Sequence, residues 1–369
     1  MRQKLIVKIL LVIIATLVFG VIIGSFNKVN AIEIDENRYP GYKSLLDNIE
    51  RMHPNWNIKL LYTGLNWDDV ISEEYTGHGE SPKSLSYYTY KGEWICPICG
   101  EKTYDVSQKW HCASRKAIAY MMDPRNSLSE EWIFQFQNLG SASGERIEIE
   151  KMVKGTFLSD PSCVTAIMEA AQAYQISPFH LVSRIIQEQG TSGVGSMNGY
   201  VYTTENENKV VVYNLYNIRV SGNDATTGFL AGAKFAYEQK WFTREESIKG
   251  GAKFLRESYI DRGQNTLYFQ KYNVVNKSNL YAHQYMQNIR AANDEGNKIY
   301  QNYRNLGVLN SHFEFIIPVY ENMPSGVCER PSDNTANYSA DIGTEVIHTE
   351  IIKNIHGNWY ISGEIYISE

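Results

Sequence analysis

The sequence predicts a mainly α-helical protein with a less regular N-terminal lobe and a small β-rich segment at its C-terminus. Apolar residues recur at helical spacing through much of the region between about residues 160 and 304. Short apolar runs separated by turn residues occupy about residues 39–138, which include the cysteine-dense part of the chain. After residue 307, β-branched and aromatic residues alternate with turn residues. We therefore expect an N-terminal lobe over 32–150, a helical domain over 151–306 and a β-rich segment over 307–369.

The first 31 residues are typical of an export signal. The apolar stretch over residues 9–26 is followed by Val29-Asn30-Ala31, the kind of small-residue site that signal peptidase cleaves. Basic residues precede the apolar stretch: Arg2, Lys4 and Lys8. Because the stretch is nearly long enough to cross a hydrocarbon layer of about 30 Å, an uncleaved membrane anchor is the alternative. In both cases the chain is expected to leave the cytoplasm, and the fold begins after residue 31.

The composition is that of a folded, acidic protein. Hydrophobic residues make up 43% of the chain and charged residues 21%, which excludes a disordered or collagen-like protein. The net charge is −6, and part of the positive charge lies in the export segment, so binding to nucleic acid is not expected. The 26 tyrosines and 7 tryptophans suit stacking against sugar rings, although tyrosine also fills ordinary half-exposed positions.

Two adjacent helices are predicted from their start signals. Asp160-Pro161 opens a helix that ends near Tyr174. Ser177-Pro178 supplies an N-cap and a first-turn proline for the next helix, which stops at Gly190. Glu188 therefore lies in the last turn of an apolar helix.

The elements that follow are predicted in the same way. Residues 190–209 are rich in glycine, serine, asparagine and threonine, so they are expected to form a polar loop or small hairpin at the rim of a cleft. Thr243 and Glu246 form a capping box for a helix that runs to about Tyr259. A further helix is predicted over about 280–304, and a hairpin over 354–366.

Glu188 has the setting that glycoside hydrolysis requires of its acid. That reaction needs a carboxylic acid that is still protonated near neutral pH, and a carboxyl group against apolar residues meets this need. Glu188 follows Ile185-Ile186 and faces the polar loop, so one side is desolvated and the other is open to a substrate. Taken alone, a glutamate at a helix end is more often simply solvated.

The surrounding sequence resembles glycoside hydrolase family 73, the bacterial β-N-acetylglucosaminidases. The similar stretches follow the family order over roughly residues 110–325. They are 113–126 (ending Met122-Asp123-Pro124-Arg125-Asn126), 155–157, 185–190 (Ile185-Ile186-Gln187-Glu188-Gln189-Gly190), 213–218, 247–252, 263–268 and 283–289. This ordered set is far more specific than any one motif.

The resemblance implies a lysozyme-like (α+β) catalytic domain and an exported endo-β-N-acetylglucosaminidase that acts on the glycan strands of peptidoglycan. It makes Glu188 the general acid and Tyr285 the tyrosine that lines the catalytic centre, where its hydroxyl would orient the N-acetyl group or the attacking water. A helix aromatic packed in the core is the alternative for Tyr285. Substrate contact is expected for polar and aromatic residues of the same stretches: Tyr216, Asn217, Asn214, Gln264 and Gln284.

The second carboxylate lies in a mobile loop of variable length in this family. Here Glu205 and Glu207 both fall in an acidic run of the polar loop, and Asp224 is a weaker candidate. A wide separation from Glu188 would indicate an inverting or substrate-assisted reaction, and a close pair a covalent intermediate. Solvated loop charges remain the alternative.

Three cysteines form a separate pattern. Cys96-Pro97-Ile98-Cys99-Gly100 has the turn of a zinc knuckle, and Cys112 follows about a dozen residues later. We expect a structural zinc ion with His78 as the fourth ligand, preferred over His111 because the adjacent His111 and Cys112 seldom point at one ion. A disulfide among the three is the rival in an exported protein. Many relatives lack these cysteines, and the glycosidase chemistry itself needs no cofactor.

Other functions remain as alternatives. Muramidase or lytic-transglycosylase cleavage would act on the same glycan, and a non-catalytic cell-wall-binding protein would keep the cleft without turnover. A Cys-His hydrolase of the peptide stems would use Cys112 or Cys163, whereas Cys163 and Cys328 otherwise look like lone thiols. The expected location is secreted or cell-wall associated, with the membrane involved only through the N-terminal segment.

Overall fold

A computed structural model describes residues 32–104, 108–193, 199–220 and 225–333, and two strands nearer the C-terminus. The predicted export signal, residues 1–31, and the loop candidate Asp224 lie outside the described residues. The chain divides into two units, with the boundary between Asp333 and Asn334. Of the helices that the structure describes, none combines the length and the apolar character needed to cross a membrane.

The first unit is mainly helical. Its described α-helices are α1 (Lys43–Met52), α2 (Trp67–Glu74), α3 (Arg115–Met122), α4 (Arg146–Val153), α5 (Pro161–Tyr174), α6 (Pro178–Gln189), α7 (Ala225–Glu238), α8 (Arg244–Ser258), α9 (Leu267–Tyr272) and α10 (Ala291–Asn305). Short 3-10 helices lie at Gly92–Trp94, Pro124–Ser127, Ile133–Phe136, Phe157–Ser159 and Ile260–Arg262. The predicted lysozyme-like class is therefore consistent with the element content.

Three small sheets complete the described part of this unit. Strand β1 (Asn57–Asn66) pairs in parallel with a strand near the end of the unit, with Asn57 opposite Glu314. Strands β2 (Leu85–Tyr87) and β3 (Trp110–Cys112) are antiparallel, as are β4 (Tyr200–Thr203) and β5 (Lys209–Val212). The partner of β1 is β6 (Glu314–Glu321).

The predicted boundaries at 150/151 and 306/307 do not separate compact units. The β1–β6 pairing joins the N-terminal lobe to residues that were expected in the C-terminal segment. Phe134 also contacts the rings of Trp56, Tyr303 and Phe315, at centroid distances of 5.3 Å in each case. Because aromatic rings from all three predicted regions share one core, the first unit continues to Asp333.

The second unit contains an antiparallel hairpin of β7 (Glu350–Lys353) and β8 (Trp359–Ser362), with Lys353 opposite Trp359. The sequence predicted a hairpin over 354–366. Its type is confirmed, but its first strand starts earlier, since Ile351 and Ile352 take part in the pairing.

The predicted helix starts around the candidate site are confirmed. The Asp160 carboxylate accepts a hydrogen bond from the Ser162 amide at the start of α5. The Ser177 side chain caps α6, which carries Pro178 in its first turn and ends before Gly190, where φ is +70°. Thr243 and Glu246 form the capping box of α8.

The helix predicted from about residue 280 begins only at Ala291. Residues 281–290 instead form an irregular segment, in which Tyr281 and His283 have positive φ values of 62° and 56°. The reason is that this segment satisfies its backbone groups on neighbouring elements: the Leu85 amide donates to the Gln287 carbonyl at 2.8 Å.

The stretch ending Met122-Asp123-Pro124-Arg125-Asn126 anchors both ends of the first unit. Arg125 and Asp123 form an ion pair at 2.7 Å with both side chains 0% exposed. The guanidinium also donates to the carbonyls of Pro40, Pro324 and Gly326. Burial disfavours the charge of Arg125, but Asp123 outweighs it and raises the pKa of the guanidinium. This motif therefore has a structural role.

Candidate active site

Helix α6 is packed in the core and carries Glu188 near its C-terminal end, where the side chain is partly exposed. Its side chains Phe179, Leu181 and Ile185 are at most 1% exposed. The helix ends one residue after Glu188, whose side chain is 24% exposed. A carboxylate fixed on a rigid, buried helix and open on one side is the geometry that a reacting acid needs.

The direct partners of the Glu188 carboxylate are polar. Oε1 lies 3.5 Å from Nε of Arg184, one helical turn earlier. The Asn217 amide Nδ2 donates to Glu188 Oε2 and to the Glu188 carbonyl, each at 3.2 Å. The sequence predicted one desolvated side and one side open to substrate, and the structure adds that a guanidinium and an amide hold this carboxylate.

Arg184 connects Glu188 to a second carboxylate. Its Nη1 atom lies 3.3 Å from Oε2 of Glu295, which is on α10 and has a side chain only 7% exposed. Burial disfavours the charge of Arg184, but Glu295 and Glu188 outweigh it and raise the pKa of the guanidinium. Arg184 is thus a permanent cation between two carboxylates.

Tyr285 completes the arrangement. Its hydroxyl donates to Oε1 of Glu295 at 2.6 Å, and the Arg184 guanidinium lies 5.5 Å from its ring centroid. Gln187 Nε2 donates to the same Glu295 oxygen at 3.0 Å. Burial, together with the charge of Glu295, raises the pKa of Tyr285 well above its ordinary value, so the hydroxyl stays a donor. We call Glu188, Arg184, Glu295 and Tyr285 the Glu188 network.

Asn217 lies beside Glu188 at the candidate site. It has a positive φ of 49°, and its Oδ1 accepts from Gln189 Nε2 at 3.1 Å. Gln189 also donates to the Leu215 carbonyl at 3.0 Å. These bonds tie the turn at residues 214–218 to the end of α6, so Asn217 contacts and orients Glu188. Sugar contact by Asn217 stays a prediction.

Two residues of the same turn face the core. Tyr216 is 4% exposed, its hydroxyl donates to the Ile248 carbonyl at 3.2 Å, and burial raises its pKa. A Cβ atom at Gly251 would lie 2.0 Å from the Tyr216 ring, so this glycine makes room for it. Asn214 is 1% exposed and donates to the carbonyls of Ile218 and Gly232. The predicted substrate contacts of Tyr216 and Asn214 are therefore corrected to packing and turn support.

The two predicted glutamines are likewise occupied by protein partners. Gln264 is 0% exposed and donates to the carbonyls of Phe269 and His283, each at 3.0 Å. Gln284 donates to Glu74 Oε2 at 2.6 Å and accepts from Lys271 Nζ at 3.0 Å. Their side chains hold the irregular segment in place, which corrects the predicted substrate contact.

The loop carboxylates lie at the tip of the β4–β5 hairpin. Glu205 and Glu207 are both exposed, and Glu207 has a positive φ of 61°. The predicted polar loop or hairpin is confirmed by this pair of strands. The assignment of either glutamate as the second catalytic group stays a prediction.

Arg184 and Glu295 were not among the site residues predicted from the sequence. Arg184 precedes Glu188 by four residues, the spacing at which side chains meet on a helix, so that contact was open to prediction. Glu295 offered no such signal, because it reaches the site through the packing of α10.

No family model matches the chain. Over 223 residues, 58% of this chain, it is 32% identical to the beta-N-acetylglucosaminidase of Bacillus subtilis (strain 168). Over 220 residues it is 29% identical to the bifunctional autolysin of Staphylococcus epidermidis (strain ATCC 12228 / FDA PCI 1200). This chain is homologous to bacterial β-N-acetylglucosaminidases. The alignments span only 23% and 16% of those two relatives, so the chain matches less than a quarter of their length.

Solved structures agree on the fold of this glucosaminidase homologue. The crystal structure of the Major Bifunctional Autolysin has a TM-score of 0.50 and 23% identity, covering 72% of this chain and 98% of that one. The Staphylococcus aureus glucosaminidase B structure has a TM-score of 0.50 and 21% identity, covering 71% and 93%. The predicted lysozyme-like class is thereby confirmed.

The N-terminal lobe of this homologue brings three cysteines together. The Sγ atoms of Cys96, Cys99 and Cys112 all lie within 4.8 Å of one another, and each is a free thiol in the structure. The Cys96 amide donates to the Cys112 carbonyl at 2.8 Å, so the knuckle is held against β3. With Zn–S bonds of about 2.3 Å, one zinc ion can bind three sulfurs grouped in this way.

The predicted fourth ligand, His78, is not part of this group. Its ring stacks on Tyr75 with centroids 4.9 Å apart, and its Nδ1 atom lies 3.2 Å from the Tyr75 carbonyl. Tyr75 in turn places its hydroxyl 3.0 Å from Cys96 Sγ. His111 lies next to Cys112 on β3, where successive side chains point to opposite faces, as the sequence argument assumed.

The thiols do not suit a cysteine hydrolase. Cys163 is 0% exposed on α5, and burial raises the pKa of its thiol. Cys112 is 2% exposed, within the group of three sulfurs. Reactive cysteines need an accessible thiolate, so neither residue has the setting of a nucleophile.

Proposed function

We propose that this protein is an exported peptidoglycan hydrolase that cleaves β-1,4 glycosidic bonds at N-acetylglucosamine, with Glu188 as its general acid. The observation that carries the proposal is the position of Glu188 at the end of a buried helix, partly exposed and held by Asn217 and Arg184. Homology to a protein named beta-N-acetylglucosaminidase supports the choice of bond.

The Glu188 network suggests how the acid works beside a fixed cation. A general acid must be protonated when it meets the leaving-group oxygen. Once Glu188 is neutral, Arg184 still has Glu295 as a counter-charge at 3.3 Å. Glu295 therefore prevents Arg184 from becoming an unpaired buried charge, which would be costly.

Tyr285 and the loop carboxylates would act on the other reacting groups. Tyr285 orients the N-acetyl group or the attacking water, with its ring fixed by Glu295 and Arg184. Glu205 or Glu207 holds the water from the hairpin tip. The glycan strand of peptidoglycan is the substrate, and residues 1–31 direct the protein out of the cell, so it is secreted or cell-wall associated.

The nature of the products tests this proposal directly. Purified peptidoglycan digested with the full chain and reduced with borohydride should give fragments that end in reduced N-acetylglucosamine when analysed by mass spectrometry. Fragments that end in reduced N-acetylmuramic acid would show a muramidase, and anhydro ends a lytic transglycosylase. The absence of both new reducing ends and anhydro ends would indicate a wall-binding protein without turnover.

Replacing Tyr285 with phenylalanine should lower kcat by about 10- to 100-fold, because the positioning of reacting groups is worth this much. The variant loses only the hydroxyl that donates to Glu295. Tyr303→Phe is the matched control, since Tyr303 also lies in a buried setting and donates to a side chain, Gln137. Steady-state rates of reducing-end release from peptidoglycan, beside thermal melts, check the comparison. An unchanged kcat in Tyr285→Phe would indicate that this residue only packs in the core.

Glu205→Gln and Glu207→Gln should differ in rate by about 100-fold or more, because a general base contributes on this scale and only one of them can face the sugar. Both sites are exposed, so neither change should alter stability. Equal activity of the two variants in the reducing-end assay would mean that neither is the base.

We also propose that Cys96, Cys99 and Cys112 bind one structural zinc ion, supported by the grouping of their sulfurs. A movement of the loop that carries His78, which packs on Tyr75 beside Cys96, would supply the fourth ligand. The ion would stabilise the N-terminal lobe without entering the reaction.

A further inference from the structure

An ion pair fully removed from solvent lies where the N-terminal lobe meets the irregular segment. Lys271 on α9 and Glu74 at the end of α2 are 2.9 Å apart, with side chains 0% and 1% exposed. Lys271 Nζ also donates to Ser84 Oγ at 3.2 Å and to Gln284 Oε1 at 3.0 Å. Gln284 Nε2 closes the group by donating to Glu74 Oε2 at 2.6 Å. We call these four residues the Lys271 cluster.

The Lys271 cluster holds the chain immediately before Tyr285. The Tyr285 amide donates to the Gln270 carbonyl at 3.1 Å, next to Lys271. On the other side, the Leu85 amide donates to the Gln287 carbonyl at 2.8 Å, and the Ile289 amide donates to the Leu85 carbonyl at 3.0 Å. Tyr285 is therefore carried on a segment fixed between α9 and strand β2 of the N-terminal lobe.

The buried charges at this junction require good geometry and further hydrogen bonds to be stable. Burying two ions costs several kcal/mol each, and their attraction offsets this only when the geometry and the remaining hydrogen bonds are good. Here each polar atom of the pair has a further partner on Ser84 or Gln284. Such a cluster tolerates one arrangement of its members, so it fixes the position of Gln284 more tightly than apolar contacts would.

We propose that Gln284, Lys271 and Glu74 are positioning residues that set the Tyr285 hydroxyl against Glu295 and thereby fix the geometry of the Glu188 network. This inference rests on the proposed glycosidase function. It makes the N-terminal lobe a working part of the active site, since Glu74, Ser84 and Leu85 all belong to that lobe.

Gln284→Met tests the proposal, because it removes both hydrogen bonds to the cluster and leaves the Lys271–Glu74 pair intact. The expected result is a kcat about tenfold lower with KM within about twofold, since small misplacements of reacting groups act on turnover. Gln137→Met is the control: Gln137 is 3% exposed and accepts from Tyr303, away from the cluster. A wild-type kcat in Gln284→Met, or an equal loss in the control, would overturn the proposal.

Exchanging the carboxylate and the amide between positions 74 and 284 should restore the activity that each single variant loses. Glu74→Gln alone leaves Lys271 without a counter-charge, and Gln284→Glu alone places two carboxylates around one ammonium. The double variant Glu74→Gln/Gln284→Glu restores one carboxylate and one amide to Lys271. We expect it to recover kcat to within about threefold of wild type, as neighbouring residues couple non-additively. A folded double variant no more active than the single variants contradicts the inference.

Hydrogen exchange separates this inference from the proposed function. In Gln284→Met, the amides of Leu85 and Ile289 should exchange about tenfold faster than in wild type, because local opening controls their protection. If wild type releases no reducing ends from peptidoglycan, the proposed function fails, and the exchange rates still decide whether the cluster fixes the segment. Unchanged exchange at both amides would overturn the inference even in an active enzyme.

Discussion

Glu188→Gln is expected to lower kcat on peptidoglycan by about 100- to 10,000-fold, the contribution of a general acid. The amide keeps the shape of the side chain, and its oxygen can still accept the hydrogen bond from Asn217. Its N–H groups are far too weakly acidic to transfer a proton to the leaving-group oxygen. Since Glu188 is partly exposed, the free energy of unfolding should change by less than about 1 kcal/mol.

Two measurements check this result. The rate of reducing-end release is compared with that of Glu257→Gln, a control in which an exposed helical glutamate loses its ion pair to Lys253. Thermal melts and binding of the glycan strand show that the Glu188 variant is folded and still holds its substrate. Activity within tenfold of wild type would remove Glu188 as the acid.

Local signals explain why the position of Glu188 at the end of a helix could be predicted from the sequence. The Ser177 cap, Pro178 and Gly190 each act within a few residues, so they fixed both ends of α6 and placed Glu188 in its last turn. The family resemblance also drew attention to Asn217, which contacts Glu188 and whose contact with sugar stays a prediction. The contact to Arg184 follows from helical spacing and could have been added.

The parts of the site and fold that the sequence did not predict depend on contacts between distant parts of the chain. The sequence motif placed Tyr216 beside the sugar site, but the room that Gly251 leaves turns its ring into the core. Glu295 and the Lys271 cluster arise from packing of α10, α9 and α2, for which the sequence carries no local pattern. The β1–β6 pairing joins residues 57–66 to 314–321. Because of this long-range pairing, the first unit ends at Asp333 and not at the predicted boundary of 306/307.

Replacing a residue of the group of three cysteines is expected to lower the stability of the protein strongly. The reason is that the free energy of metal binding at a structural site is largely free energy of folding. We expect Cys99→Ser to lose the bound metal and to lower the free energy of unfolding by about 3–5 kcal/mol, which corresponds to a Tm lower by roughly 6–20 °C. A chelator should reproduce this loss in the wild-type protein. Cys328→Ser is the matched control, since Cys328 is a free thiol outside the group of three and should leave the metal content unchanged.

Metal analysis of protein purified without added zinc, beside a thiol count under denaturing conditions, decides between zinc and a disulfide. One zinc per chain with five titratable thiols after denaturation and chelation is the expected result, because the sequence contains five cysteines. No metal and a loss of two titratable thiols would show that a disulfide closes the segment.

His78→Ala tests the fourth ligand: a metal content equal to wild type would exclude His78, which lies outside the group of three in the structure. Because a structural site has no open position for water, removal of the ion should loosen β2 and β3 first and lower activity only through the segment that β2 holds.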